Sequence, residues 1–177
     1  YPVGQFFMLK CNGIDENGKF IMEDVNKDGQ ISDDDRTYVG DSQPDLTFGW
    51  NNTFTWKNWD ASFFLRGQIG GKLLNNPRAA YGNNTYVAGA NAMKGDDLML
   101  LRENSRVSSY YLENASFARL DNMSIGYTFN TKKIDWLDKA RIYVAAQNLF
   151  VITSYSGLDP EVELFRGEAS DTDAGLS

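Results

Sequence analysis

The chain has 177 residues, of which 42% are hydrophobic and 14% aromatic, an apolar share that excludes an intrinsically disordered tail. Its 17 Lys and Arg stand against 24 Asp and Glu, a formal charge of −7. That balance argues against nucleic acid as a partner, because phosphate backbones are held by basic patches. No histidine is present and Cys11 is the single cysteine, so Ser–His–Asp and Cys–His catalysis, His-ligated zinc and an internal disulfide are excluded within this chain.

The first residues, Tyr1-Pro2-Val3-Gly4, include neither an initiator Met nor the apolar core of a signal peptide. The expectation is that a signal has been removed or that this is an internal piece. Mean hydropathy is −0.45, and no apolar run reaches the roughly 18 residues of a membrane-crossing helix.

Residues 1–45 read as a loop region whose sharpest motif is the acidic stretch 24–35. Asp24, Asn26 and Asp28 stand at positions 1, 3 and 5 of a twelve-residue loop, Gln30 at 7, Ser32 at 9 and Asp35 at 12, with Gly29 at the sharp turn. Ca²⁺ takes six to eight hard oxygens, and this spacing wraps them around one point. Side chains of Asp24, Asn26, Asp28 and Asp35 and the carbonyl of Gln30 are the candidate ligands, with Ile31 turned into the local core. No amphipathic helix precedes the loop, so the expected role is stiffening rather than sensing. Ser32 followed by Asp33, Asp34 and Asp35 also reads simply as a helix N-cap with acids in the first turn.

Residues 46–69 read as a hairpin. Leu46, Phe48, Trp50, Phe54 and Trp56 line one face with Asn52, while Thr47, Gly49, Asn51, Thr53 and Thr55 line the other; such alternation marks a half-buried strand. After Lys57-Asn58-Trp59, Ala61, Phe63, Leu65 and Ile69 oppose Ser62, Arg66 and Gln68, with Phe64 interrupting the polar side. Residues 70–116 form a long connection carrying Tyr81, Tyr86, Tyr110 and Tyr111, which either pack within the loop or stack on sugar rings. A second hairpin follows over residues 117–151. Met123, Ile125, Tyr127 and Phe129 alternate with polar residues, and Ile142, Val144, Ala146 and Phe150 mark the partner strand. Strict alternation places Arg119 and Asp121 on the apolar side. Residues 152–177 read as a further long loop segment.

The fold class is therefore all-β, built of antiparallel strands. Two short turns oppose three long connections, and Trp56, Trp59, Tyr127, Phe129 and Trp136 gather at the short-turn end. That is the habit of transmembrane β-barrels with long extracellular loops and interfacial aromatic girdles. A soluble β-sandwich alternates in the same way, and the residues alone leave both open. Four strands cannot close a barrel, so on the first reading the chain is part of one. Asp96 with Asp97, and Asp159 with Glu161, are carboxylate pairs without evident partners and read as solvated charge rather than a glycosidase pair. The Asn-x-Ser/Thr triplets at Asn51, Asn83 and Asn114 are too common a pattern to carry weight. No constellation of acid, base and nucleophile marks an enzyme.

Several blocks in order give a closer resemblance. Residues 24–37, Gly40-Asp-Ser-Gln-Pro-Asp45, Phe48-Gly-Trp-Asn-Asn-Thr-Phe-Thr-Trp56 and Asp60-Ala-Ser-Phe-Phe-Leu-Arg-Gly67 are followed by Ser116-Phe-Ala-Arg-Leu-Asp-Asn122 and Ile125-Gly-Tyr-Thr-Phe129. Ala146-Gln-Asn-Leu-Phe150 and Tyr155-Ser-Gly-Leu-Asp-Pro-Glu161 complete the set. Together they resemble the C-terminal barrel region of SusC/RagA-like TonB-dependent transporters from the outer membrane of Bacteroidetes.

That resemblance implies a plugged barrel of about 22 strands importing oligosaccharides or peptides. A SusD-like surface lipoprotein would form a lid, and TonB would act through parts absent from this chain. It implies contact with outer-membrane lipid, the short turns toward the periplasm, and the acidic loop, residues 70–116 and the segment after 152 facing outward. It names no cargo-binding residue. The competing expectation from the residues is a secreted, Ca²⁺-stabilised β-domain that binds glycans or partner proteins.

Overall fold

The computed structural model describes residues 4–82, 101, 107–130, 137 and 139–161. The region before residue 46, read as loop, contains four short strands. β1 (Gln5–Leu9) pairs antiparallel with β4 (Arg36–Asp41), and between them β2 (Cys11–Ile14) pairs with β3 (Phe20–Met22). Each is six residues or fewer, too short for periodicity to be legible.

Four long strands follow. β5 (Leu46–Trp56) and β6 (Trp59–Ile69) are joined by Lys57 and Asn58, with Lys57 at φ +56; tight hairpin turns demand such a left-handed residue. β7 (Lys72–Leu74), the short helix α1 (Asn76–Tyr81) and β8 (Leu112–Asn114) belong to the long connection, and β7 pairs with β8. β9 (Phe117–Asn130) and β10 (Lys139–Thr153) then complete one antiparallel sheet in the order β10-β9-β6-β5. The two hairpins are thus neighbours, because β6 pairs directly with β9.

The register separates two faces. Trp50 lies opposite Leu65, Phe54 opposite Ala61, Phe63 opposite Met123, and Ala61 opposite Ile125, which in turn meets Val144. This side is apolar and uncovered: Trp50 is 56% exposed, Ile142 65% and Val144 73%. Rings pack edge-to-face along it, Trp50 on Phe63 at 5.3 Å and Trp59 on Tyr127 at 4.8 Å between centroids. Phe48 covers its cross-strand neighbour Gly67, where a side chain would collide with that ring. The other face carries Thr53, Ser62, Ser124 and Arg141, with the Ser62 and Ser124 hydroxyls hydrogen-bonded at 2.9 Å. Phe64 sits on this polar side, its ring against the bare backbone of Gly49.

Simple alternation fails at one point. Phe64 pairs with Asn122 and Leu65 with Leu120, so Asp121 is an extra residue, a β-bulge. One inserted residue reverses the facing of everything before it. Leu120 therefore joins the apolar side, while Arg119 lies opposite Arg66 on the polar side. The placement of Arg119 and Asp121 among apolar residues is corrected accordingly.

The buried residues do not lie against the apolar face. Leu9, Tyr111, Ala115 and Phe117 are each at most 6% exposed and gather at the long-loop end, around β1, β8 and the start of β9. Among the described residues the apolar face of the four-stranded sheet is exposed, unlike the inner face of a β-sandwich. No helix among them is long and apolar enough to cross a membrane. Strands of eleven residues extend about 36 Å, enough to cross a hydrocarbon layer at the tilt of a barrel.

Candidate functional site

Charged side chains on the polar face concentrate at its two ends. At the short-turn end, Arg141 reaches Asp60 across the intervening β9, with Nε donating to Oδ1 at 3.0 Å and Nη2 to Oδ2 at 2.5 Å. At the long-loop end stand Arg66 and Arg119. Arg66 donates to Asp121 and to both carboxylate oxygens of Glu161. Arg119 holds Asp159 through Nη2 at 2.6 and 2.8 Å, and its Nε lies 2.8 Å from Glu161. Asp159 and Glu161 read as solvated charge in the sequence; here both are ion-paired. The segment after β10 has folded back onto the sheet's polar face, a long-range contact that local sequence does not signal.

A second polar node ties the loops together. Asn75, fully buried, caps α1 by accepting from the Arg78 N–H at 3.0 Å, and its amide donates to Glu113 and Ser156. Burial works against the charge of Glu113. The Ser156 N–H and hydroxyl, the Asn75 amide and the nearby Arg78 outweigh it and hold the carboxyl below the usual glutamate range. Tyr111 is wholly buried and packs edge-to-face with Phe20 and Tyr110, so it serves loop packing rather than stacking on a sugar. Tyr81 is 54% exposed. Tyr86, Asn83, Asp96, Asp97 and Trp136 lie outside the described residues.

In the acidic loop, the side chains cap the loop's own backbone. Asp24 accepts from Lys27 and Gly29 at 2.7 and 2.9 Å, and Asp28 accepts from Gln30 at 2.7 Å. The Asn26 carbonyl accepts from the Asp28 N–H while its amide donates to Asp28. Lys27 and Gly29 take left-handed φ values of +62° and +83°. Asp35 is fully buried, accepting from Val25, Asn26 and Ser32, and forms a capping box with Ser32 around a 3₁₀ turn at Asp33–Asp35. The Ser32 N–H, with those of Asn26 and Val25, holds its carboxyl below the usual aspartate range. Gln30 is exposed. As placed, no group of three or more acidic or cysteine side chains among the described residues could hold a metal ion.

An antiparallel sheet with one uncovered apolar face, one polar face and an aromatic cluster at its short-turn end is a section of transmembrane β-barrel wall. No protein-family model matches the chain. It is 30% identical to the TonB-dependent receptor P3 of Formosa agariphila over 98% of this chain and 20% of that protein. It is 32% identical to the TonB-dependent receptor SusC of Bacteroides thetaiotaomicron over 92% of this chain and 17% of that protein. Among solved structures it resembles the RagAB peptide importer in its closed-closed state, with 27% identity and a TM-score of 0.72 over 88% of this chain and 20% of that one. The RagAB peptide transporter gives 26% identity and a TM-score of 0.71.

The chain is therefore a SusC/RagA-like segment of a TonB-dependent transporter barrel. It spans about a fifth of the length of the curated relatives it matches. These relatives are receptors and transporters rather than enzymes, in agreement with the sequence reading.

Proposed function

We propose that this chain forms part of the C-terminal barrel wall of an outer-membrane nutrient importer. The importer takes up oligosaccharides or peptides, draws energy through TonB, and works with a SusD-like surface lipoprotein over its outer mouth. The observation that supports this reading most strongly is the pairing of a match to a TonB-dependent receptor over 98% of this chain with an uncovered apolar sheet face. Such a face is stable in water only if covered, and lipid covers it in a barrel. The polar face then lines the lumen, and Arg66, Arg119, Asp159 and Glu161 stand at its outer mouth.

Fractionation of source cells with an antibody against residues 1–45 tests the proposal. The expected result is a band far larger than 19.9 kDa in the outer-membrane fraction. A secreted band near that mass overturns the reading in favour of a soluble β-domain.

For the acidic loop we propose a structural Ca²⁺ site formed by Asp24, Asn26, Asp28, the Gln30 carbonyl and Asp35. Its support is the residue types at their spacing and the turn already built around Lys27 and Gly29. Binding requires the carboxylates to exchange some backbone N–H bonds for the ion. Ca²⁺ is expected to slow amide exchange across residues 24–35 relative to a chelated sample; identical exchange in both contradicts the site.

A further inference from the structure

Arg66 and Arg119 face each other directly across β6 and β9, and like charges so placed repel unless anions lie between them. Asp121 supplies one anion from the wall itself. The other two, Asp159 and Glu161, arrive on a segment that leaves the wall after Thr153 and turns back. Phe117, only 6% exposed, lies beside both guanidiniums, each 5.9 Å from the ring centroid. Ring and wall therefore orient the two arginines independently of Asp159 and Glu161. The Asp159 and Glu161 side chains keep 38% and 26% exposure, so water and solutes reach the pairs.

We propose that Arg66 and Arg119 form a carboxylate-binding site on the barrel wall at its long-loop mouth. The chain's own Asp159 and Glu161 fill it here, and an acidic peptide carrying two carboxylates two residues apart displaces them. This rests on the importer reading, which makes the polar face a lumen. Once the two acids leave, Arg66, Arg119 and Asp121 hold a net positive charge. The planar guanidinium fork matches a carboxylate with two parallel hydrogen bonds; a neutral sugar supplies no charge to replace the one that leaves. The site thereby selects anionic over neutral cargo. The internal acids lower its apparent affinity by the fraction of time they occupy it.

The test uses the full-length protein in detergent, its barrel verified by heat-sensitive gel migration. Calorimetry compares a peptide copying residues 156–161, blocked at both ends, with the same peptide carrying Asn and Gln for its two acids. The acidic peptide is expected to bind at least about tenfold more tightly. Asp159→Asn with Glu161→Gln in the protein should tighten it by about another tenfold by freeing the site, and Arg66→Gln with Arg119→Gln should erase the difference between peptides. Equal binding of the two peptides to an assembled wild-type barrel, or binding of neither, overturns the proposal. A wild-type protein that forms no barrel fails the importer reading instead.

Discussion

Arg141 on β10 reaches Asp60 on β6 by passing over Gly126 of the strand between them. A Cβ on Gly126 would lie 2.6 Å from the Arg141 Nη2 and 2.8 Å from the Asp60 Oδ1. The absence of a side chain there lets one ion pair tie three strands together. Gly126→Val is expected to break the pair and to destabilise the folded barrel by about 1–3 kcal/mol through overpacking. Urea unfolding followed by gel migration measures it; an unchanged midpoint would show that the bridge spans the strand by another route.

The two faces make opposite demands on neighbouring positions. Phe63→Arg puts a charge on the apolar side near mid-strand and is expected to cost about 2–4 kcal/mol in the membrane. Thr53→Arg, one strand away on the polar side, should leave assembly nearly unchanged. Comparing the folded fraction of the two variants in outer membranes checks the assignment. Equal effects would argue against a lipid-facing surface.

The bulge at Asp121 sets the facing of the residues before it. Deleting Asp121 removes the extra residue and leaves Asn122, Leu120 and Arg119 in strict pairing with Phe64, Leu65 and Arg66 on their present faces, so the barrel is expected to assemble. Deleting Leu120 instead turns a charged neighbour, Arg119 or Asp121, toward the apolar side in its place, so assembly is expected to fail. Failure of the Asp121 deletion together with assembly of the Leu120 deletion would refute the register.

The Asp35 carboxyl titrates lower when folded than when unfolded, because three backbone N–H groups bond its charged form. Its contribution is therefore complete above the unfolded value near 3.9 and is lost as pH falls through the lower folded value. Amide protection at Val25, Asn26 and Ser32 should hold at pH 7 and fall below about pH 4. Asp35→Ala should remove it at neutral pH too, a loss that exchange measurements read directly. Protection unaffected by the substitution would contradict the capping role.

Much of the sheet was legible because lipid-exposed strands show their period in every second residue. Leu46 to Trp56 alternates with a single interruption, at Asn52, and forms one strand throughout. Arg119 and Asp121 were misplaced because an inserted residue leaves no mark in composition, only in pairing with Phe64 and Leu65. The link from Arg66 to Glu161 was invisible for another reason: its partners lie 95 positions apart, and what brings them together is the closure of β6, β9 and β10 into one sheet. In the acidic loop the residue types suggested ligands, but those same oxygens serve equally to cap backbone N–H groups, and Asp35 does so from full burial.

Alternating access along β10 tests the central claim most directly. In a cysteine-free background of the full-length protein in outer membranes, with Cys11→Ser among its changes, single cysteines replace Ile142, Tyr143, Val144 and Ala145 in turn. A water-soluble maleimide should label the Tyr143 and Ala145 positions and spare the Ile142 and Val144 positions, which lipid covers. Equal labelling at all four would contradict a barrel wall with one face in the membrane.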